Sequence, residues 1–182
     1  MTGVGGNGDV TLTPVGEQEF AVVRDLAGAI WRQHYEGMIP AGQIEFMLSV
    51  RFSDDALRQC GTAADRWLQV MRVSGAPVGY CDCQRVGPPG DEQNPTAMKL
   101  GQLYLLASHR GRGLGRFMLA DVERRARRLQ ADLLWLLVSK KNEGAIGFYR
   151  SAGFVMLQDV TLDIGGGFVM DDYVMGKRVT TA

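Results

Sequence analysis

The sequence has 182 residues, 20 of them Lys or Arg against 20 Asp or Glu, so its formal charge is zero. A hydrophobic share of 46% and a charged share of 22% are those of an ordinary globular domain, long enough to bury roughly 70% of its unfolded surface around one core. Electroneutrality argues against affinity built on neutralising nucleic-acid phosphates, and the longest apolar runs, such as Leu133–Val138, fall far short of the ~20 residues that span a bilayer.

The N-terminus lacks a charged segment followed by an apolar stretch, so no secretory signal is expected. The three cysteines, Cys60, Cys81 and Cys83, are an odd count that suits a reducing compartment better than a disulfide framework. The expectation is a cytoplasmic protein that binds neither nucleic acid nor membrane, with a disordered tail over residues 1–8 and a single domain over 9–182. Glycine is the compositional outlier, 24 residues and about twice the average usage of ~7%. Part of it is Gly3, Gly5, Gly6 and Gly8 of the tail.

In chain order, Asp9–Thr13 reads as a short strand closed by Pro14. From Glu17 onward, Phe20, Val23, Ala27, Ile30, Trp31 and His34 recur at helical spacing. Gly37–Pro40 interrupts that helix, and Pro40 opens a second one with Ile44, Met47 and Leu48 on one face. Ser53-Asp54-Asp55 caps a further short helix to about Cys60. Arg66–Val73 and Pro77–Val86 are strands joined at Ser74-Gly75, and Gly87–Pro95 is an exposed loop. Leu100–Leu106 is a strongly apolar strand, followed by glycines and a helix carrying Leu114, Phe117, Met118, Val122, Ala126 and Leu129 inward. Leu133–Val138 has the length of a strand buried on both faces. Asn142–Ala152 is a compact helix stopped by Gly153, and Phe154–Leu162 and Phe168–Val179 form a closing pair of strands.

The chemically informative segment is Leu103-Tyr104-Leu105-Leu106-Ala107-Ser108-His109-Arg110-Gly111-Arg112-Gly113-Leu114-Gly115-Arg116. A buried strand stops, the backbone turns through glycines, and a helix begins. The first N–H groups of a helix lack internal partners and lie at the positive end of its dipole, which makes them an anion site. Glycines let such backbone approach a phosphate without Cβ interference. The dinucleotide pattern G-x-G-x-x-G fails because Met118 stands where the third glycine belongs, and no G-x-x-x-x-G-K-[ST] loop is present. What fits is R/Q-x-x-G-x-G/A, as Arg110, Gly113 and Gly115.

That pattern resembles the pyrophosphate-binding motif of the GNAT superfamily of acetyl-CoA-dependent N-acetyltransferases. One strand later, Asn142, Ala145, Phe148, Tyr149, Gly153 and Phe154 are similar to that family's N-x-x-A-x-x-F-Y-x-x-x-G-F. The resemblance covers about Asp9 to Val179 and is most specific from Tyr104 to Phe154. It implies an α/β (α+β) GNAT fold: a mixed, mainly antiparallel central sheet, splayed at the cofactor site and flanked by helices on both faces. It also implies acetyl-CoA as the acyl donor and a primary amine of a small molecule or of a peptide or protein as acceptor. Relatives are commonly dimeric, which admits a homodimer, although no apolar stripe in the sequence marks an interface.

By the same resemblance, the backbone of Arg110, Gly111, Arg112, Gly113, Leu114, Gly115 and Arg116 takes the pyrophosphate. Leu103, Tyr104 and Leu105 pair with the pantetheine arm, and a backbone N–H near Leu105 faces the thioester oxygen as an oxyanion donor. Asn142 and Phe148 contact the cofactor from the next helix, and Tyr149 gives a proton to the departing thiolate. Acceptor-binding candidates are Tyr35, Met38 and Ile39 with Asp171, Asp172 and Tyr173; the two aspartates either attract a cationic amine or form a solvated strand end.

A general base is not evident. Relatives often keep a carboxylate on the strand of the first motif, where this chain has Gln102. Glu36, Glu45 and Asp82 are candidates, each with the plain alternative of a solvated surface carboxylate. Cys81 and Cys83 read as buried thiols, because His34 and His109 alone leave a metal without a ligand set. His109 and the run Arg124, Arg125, Arg127, Arg128 read as surface residues. Two other classes fit the same loop: a catalytically silent acyl-CoA-binding sensor or regulatory module, favoured by Gln102, and a nucleotide-binding domain, separated by competition with ATP or NAD.

Overall fold

Two-fold alternation of apolar residues on the strands and 3.6-fold recurrence on the helices divide the chain into seven strands and five α-helices among the described residues. The computed structural model describes residues 9–62 and 65–179. The elements are β1 (Val10–Pro14), α1 (Phe20–Tyr35), α2 (Ala41–Arg51), α3 (Asp54–Thr62), β2 (Arg66–Val73), β3 (Ala76–Arg85), β4 (Ala97–Leu105), α4 (Leu114–Arg128), β5 (Leu133–Ser139), α5 (Glu143–Ser151), β6 (Val155–Gly165) and β7 (Phe168–Arg178). Single 3₁₀ turns occupy Glu17–Glu19 and Ala107–His109. The glycine-rich tail expected over residues 1–8 lies outside the described residues.

The strands form one mostly antiparallel sheet, order β1-β2-β3-β4-β5-β7-β6, flanked by helices. Its parallel pair is β4 with β5, in register from Ala97↔Leu133 to Lys99↔Trp135. Parallel neighbours need a crossover connection, and the glycine loop with α4 supplies it. Contacts group the chain into two compact units, one made of the chain up to Cys83 with Gln102–Asp121, the other of Gln84–Gly101 with the chain from Val122.

In the first unit, Val23, Ala27, Ile30 and Trp31 form the buried stripe of α1. The turn at Ser74-Gly75 has positive φ at both residues, 50° and 81°, the geometry that matches strand twist in two-residue hairpins. Ser53 Oγ accepts the Ala56 N–H at 3.2 Å and caps α3. One close approach joins β3 to the end of β4. A Cβ on Gly79 of β3 would stand 2.5 Å from Leu105 Cδ2 and 2.5 Å from the Tyr104 carbonyl oxygen, so only glycine admits this close approach of the two strands.

In the second unit, β5 is buried over most of its length, and Ala97, Trp135 and Val174 pack with Val86, Leu133, Leu137 and Val160. Trp135 Nε1 donates to the Val86 carbonyl at 2.7 Å, and Lys99 Nζ lies 4.9 Å from the Trp135 ring centre. β4 begins at Ala97 rather than at the expected Leu100 because Ala97–Lys99 pair with Leu133–Trp135 of β5, and the Trp135 ring accommodates the lysine charge there. Lys177 Nζ joins Glu123 of α4 (2.7 Å) to the Ala152 carbonyl at the end of α5 (2.8 Å).

Three burial expectations need correction. Asp82 is 5% exposed and Asp172 is 3% exposed, so neither is a solvated carboxylate; both lie inside strands flanked by others, β3 and β7, where alternation turns every second side chain inward. On α4, Leu119 is buried, whereas Phe117 and Arg125 are half-buried. Gly79→Ala is expected to destabilise the protein by about 1–3 kcal/mol through overpacking, read by denaturant unfolding; a stability equal to wild type would show that β3 and β4 do not meet so closely.

Candidate active site

The loop after β4 is built by its dihedrals. His109 and Arg110 donate their backbone N–H groups to Leu106 (2.9 Å) and Ala107 (3.2 Å), closing the 3₁₀ turn. Gly111 and Gly113 then take φ of +74° and +78°, a region that residues with a side chain occupy only at a cost. The Gly113 carbonyl accepts the Phe117 N–H at 3.0 Å, which is the first bond of α4. The N–H groups of Leu114, Gly115 and Arg116 therefore precede any carbonyl of their own helix. A Cβ on Gly111 or Gly113 would meet no atom within 4 Å, so the loop borders open space at both glycines.

Arg110 departs from the expectation. Its backbone N–H is committed to the turn, and its guanidinium folds back on the strand end and α1: Nε donates to the Leu105 carbonyl at 3.3 Å, and Nη2 lies 3.5 Å from His34 Nδ1. Arg112 and Arg116 are exposed beside it, so the loop carries positive potential from three guanidiniums as well as from the helix start.

Behind the end of β4 lies an aromatic face that the sequence did not announce. Trp31 Nε1 donates to Tyr80 Oη at 2.6 Å, and the Tyr35 and Tyr104 hydroxyls are 2.6 Å apart. Tyr104 sits 5.6 Å from both Trp31 and Tyr80, and Phe52 meets Trp31 and Tyr80 edge-on at 5.9 and 5.7 Å. His34 stacks edge-on against Tyr35 at 4.8 Å. Burial, foremost among the causes, pushes the Tyr80 and Tyr104 hydroxyls well above the ordinary tyrosine range. Gln102, one alternation from Tyr104, is buried, and no protein group bonds its Oε1. Of the acceptor candidates, Tyr35 joins this face, Met38 is half-buried with its N–H on the Tyr35 carbonyl (3.0 Å), and Ile39 lines a cavity of about 640 Å³ with Arg32, Glu36, Ile44 and Glu45.

The base candidates are held in other ways. Glu45 is exposed and paired with Arg32 through both oxygens (2.7 and 2.8 Å), and that hydrogen bonding holds its carboxyl below the usual range. Asp82 Oδ2 lies 3.5 Å from Arg66. Glu36 is exposed at the end of α1.

In the second unit, Asn142 Oδ1 accepts the Ala145 N–H at 3.1 Å and caps α5, and Gly153 takes φ of +88° just past its end. Tyr149 is 9% exposed, edge-on to Phe148 at 5.2 Å and to Phe154 at 5.5 Å. Asp171 is bound to Lys140 at 2.6 Å, and Lys140 lies over the Tyr173 ring. Cys60, Cys81 and Cys83 are buried thiols. Among the described residues, no three His, Cys, Asp or Glu side chains are grouped to hold a metal ion, and no helix is long and apolar enough to cross a membrane.

The family model for the acetyltransferase (GNAT) family matches residues 30–154, more than half of the sequence. The chain belongs to the GNAT acetyltransferase family. An uncharacterized N-acetyltransferase of Lactobacillus delbrueckii subsp. lactis is 28% identical over 95 residues, 52% of this chain and 55% of that protein. The chain thus spans about half the length of that relative. An uncharacterized N-acetyltransferase of Mycobacterium tuberculosis is 32% identical over 114 residues, 63% of this chain and 68% of that one. In fold, the chain is similar to the crystal structure of the PaiA N-acetyltransferase from Thermoplasma acidophilum in complex with coenzyme A. The TM-score is 0.75 at 16% identity, over 93% of this chain and 98% of that one. The GNAT fold expected from the two motifs is the observed one.

The enclosure of Tyr80 and Tyr104 has a sign in alkali. Below pH ~10 both states keep these phenols protonated; above it the unfolded chain releases protons that the folded chain retains, so stability falls as pH rises. Ultraviolet titration of the native protein should leave Tyr80, which is fully buried, un-ionised until the fold opens; ionisation of all five tyrosines near pH 10 with the fold intact would contradict its burial.

Proposed function

We propose that this GNAT protein is an N-acetyltransferase that moves the acetyl group of acetyl-CoA directly to a primary amine of a small molecule or of a peptide or protein. The observation that carries the reading is the left-handed backbone at Gly111 and Gly113, open where side chains would stand, at the very start of α4. The residues present fit the donor: peptide N–H groups and three arginines suit a pyrophosphate, and the two glycines leave it room.

Acetyl-CoA supplies an acyl group activated as a thioester. The backbone from Gly111 to Arg116 binds the pyrophosphate, aided by the Arg110, Arg112 and Arg116 charges. The Leu103, Tyr104 and Leu105 backbone orients the pantetheine arm, and the Leu105 N–H stabilises the negative charge that develops on the carbonyl oxygen. Asn142 and Phe148 hold the cofactor arm, and Tyr149 gives its hydroxyl proton to the sulfur as it leaves. Tyr35, Met38 and Ile39 form the acceptor side, where Ile39 lines the α1–α2 cavity. Asp171 and Asp172 drop in rank as acceptor groups, since Lys140 already neutralises the first and the second is buried.

Calorimetric titration of acetyl-CoA into wild type and Gly113→Glu, with ATP as a control, tests the loop. Wild type should bind acetyl-CoA and ignore ATP, and the variant should lose binding; a folded wild type that ignores acetyl-CoA would refute the reading. With an acceptor selected from a panel of amines and peptides, Tyr149→Phe should cut turnover while acetyl-CoA affinity stays within about threefold, or ~0.7 kcal/mol. Binding without transfer to any amine would favour a silent acyl-CoA sensor, the reading that Gln102 supports.

A further inference from the structure

An ammonium ion has no lone pair, so acetylating an amine requires a group that accepts its proton. Of the carboxylate candidates, Glu45 is paired with Arg32, Asp82 lies beside Arg66, and Glu36 is exposed at the end of α1 without the contact to the loop after β4 that His34 makes. Gln102, on the strand of the first motif, has no basic atom.

His34 is placed differently. It stands on the last turn of α1, half-buried, with its ring 4.8 Å from Tyr35 and 6.0 Å from Tyr104. Its Nδ1 lies 3.5 Å from Arg110 Nη2, and the same guanidinium reaches the Leu105 carbonyl at 3.3 Å. A guanidinium only donates hydrogen bonds. His34 therefore accepts at Nδ1, its lone pair aimed at Arg110, and carries its hydrogen on Nε2. Facing the imidazole are the Arg110 charge from the loop, the Tyr35 phenol from its own helix and the Tyr104 phenol from β4. Burial first, and the Arg110 charge second, hold its pKa below the ordinary 6.5, so at neutral pH it is an uncharged base.

We infer that His34 is the proton acceptor of the acetyl transfer, and that Arg110 caps its lone pair until the donor's pyrophosphate draws the guanidinium away. The inference rests on the proposed function. His34 Nδ1 takes one proton from the ammonium and passes it to solvent. The freed amine nitrogen bonds to the acetyl carbon, and the C–S bond breaks with its electron pair on sulfur. Tyr149 protonates that sulfur and regains a proton from the acylated nitrogen. The products are an amide, a thiol and one proton. Removing the cap takes away a positive charge, which raises the proton affinity of His34 when the donor is loaded. The base is thereby strengthened by donor binding.

The chain has two histidines, so imidazole NMR of the whole protein, assigned with His34→Gln, follows His34 directly. The His34 midpoint should lie below 6.5 in the free protein, rise in Arg110→Gln, and rise in wild type when coenzyme A is added as the probe. Coenzyme A that binds calorimetrically yet leaves the midpoint fixed would overturn this inference alone. Coenzyme A that does not bind would overturn the functional reading, and this inference with it. With the acceptor the amine panel selects, His34→Gln should lower kcat about 100-fold or more, erase the acid limb of the kcat/KM profile and leave acetyl-CoA affinity within threefold. His34→Asn serves as a second variant should the first not fold. Wild-type turnover with an unchanged profile in a folded variant would remove His34 from the chemistry.

Discussion

The arrangement depends on a backbone constraint: two residues three and one positions before α4 that must adopt left-handed dihedrals. At Gly111 and Gly113 a side chain would cost roughly 1–2 kcal/mol each, and glycine removes that cost. The consequences run outward. The chain leaves β4 through a 3₁₀ turn, reverses without a Cβ on its open side, and starts α4 directly afterwards. Because β5 lies parallel to β4, a crossover was needed at this point in any case. The loop proposed to bind the donor's pyrophosphate stands where topology already demands a turn.

The second constraint is packing. Gly79 lets β3 approach Tyr104 and Leu105 more closely than any other residue would allow, and the aromatic face on α1, β3 and β4 fixes the side chain of Tyr104. Two hydrogen bonds of 2.6 Å, Trp31 to Tyr80 and between Tyr35 and Tyr104, satisfy polar groups that would be costly to bury alone. The strand end that is proposed to orient the donor is therefore held from the α1 side by rings and from the loop side by the Arg110 guanidinium on the Leu105 carbonyl. Positioning by stiff, hydrogen-bonded aromatics is what an oxyanion donor needs, since its benefit depends on being in place beforehand.

Much of this was legible in the sequence because local chemistry carried it. The Ser74-Gly75 hairpin, the capping of α3 by Ser53, the Asn142 cap, the Gly153 stop and the strand–glycine–helix order each rest on residues close together in the chain. What escaped depends on long-range neighbours. The burial of Asp82 and Asp172, each offered either as a functional carboxylate or as a solvated one, escaped because a single strand does not reveal whether both its edges are paired. The aromatic face gathers residues 31, 35, 52, 80 and 104 from three elements and a connecting segment, with no spacing rule to join them. The Arg110 amide could be assigned to a ligand only until the 3₁₀ turn claimed it, and His34 carried no motif. The helical period placed it on α1, but only the fold sets it against Arg110.

The backbone after β4 is proposed to bind the donor through its own amides. Hydrogen–deuterium exchange with and without coenzyme A tests it most directly, peptide by peptide. Exchange should slow over Gly111–Arg116 and at the Leu103–Leu105 strand end when coenzyme A is bound. Coenzyme A that binds while exchange there is unchanged, with protection arising elsewhere in the chain, would contradict it.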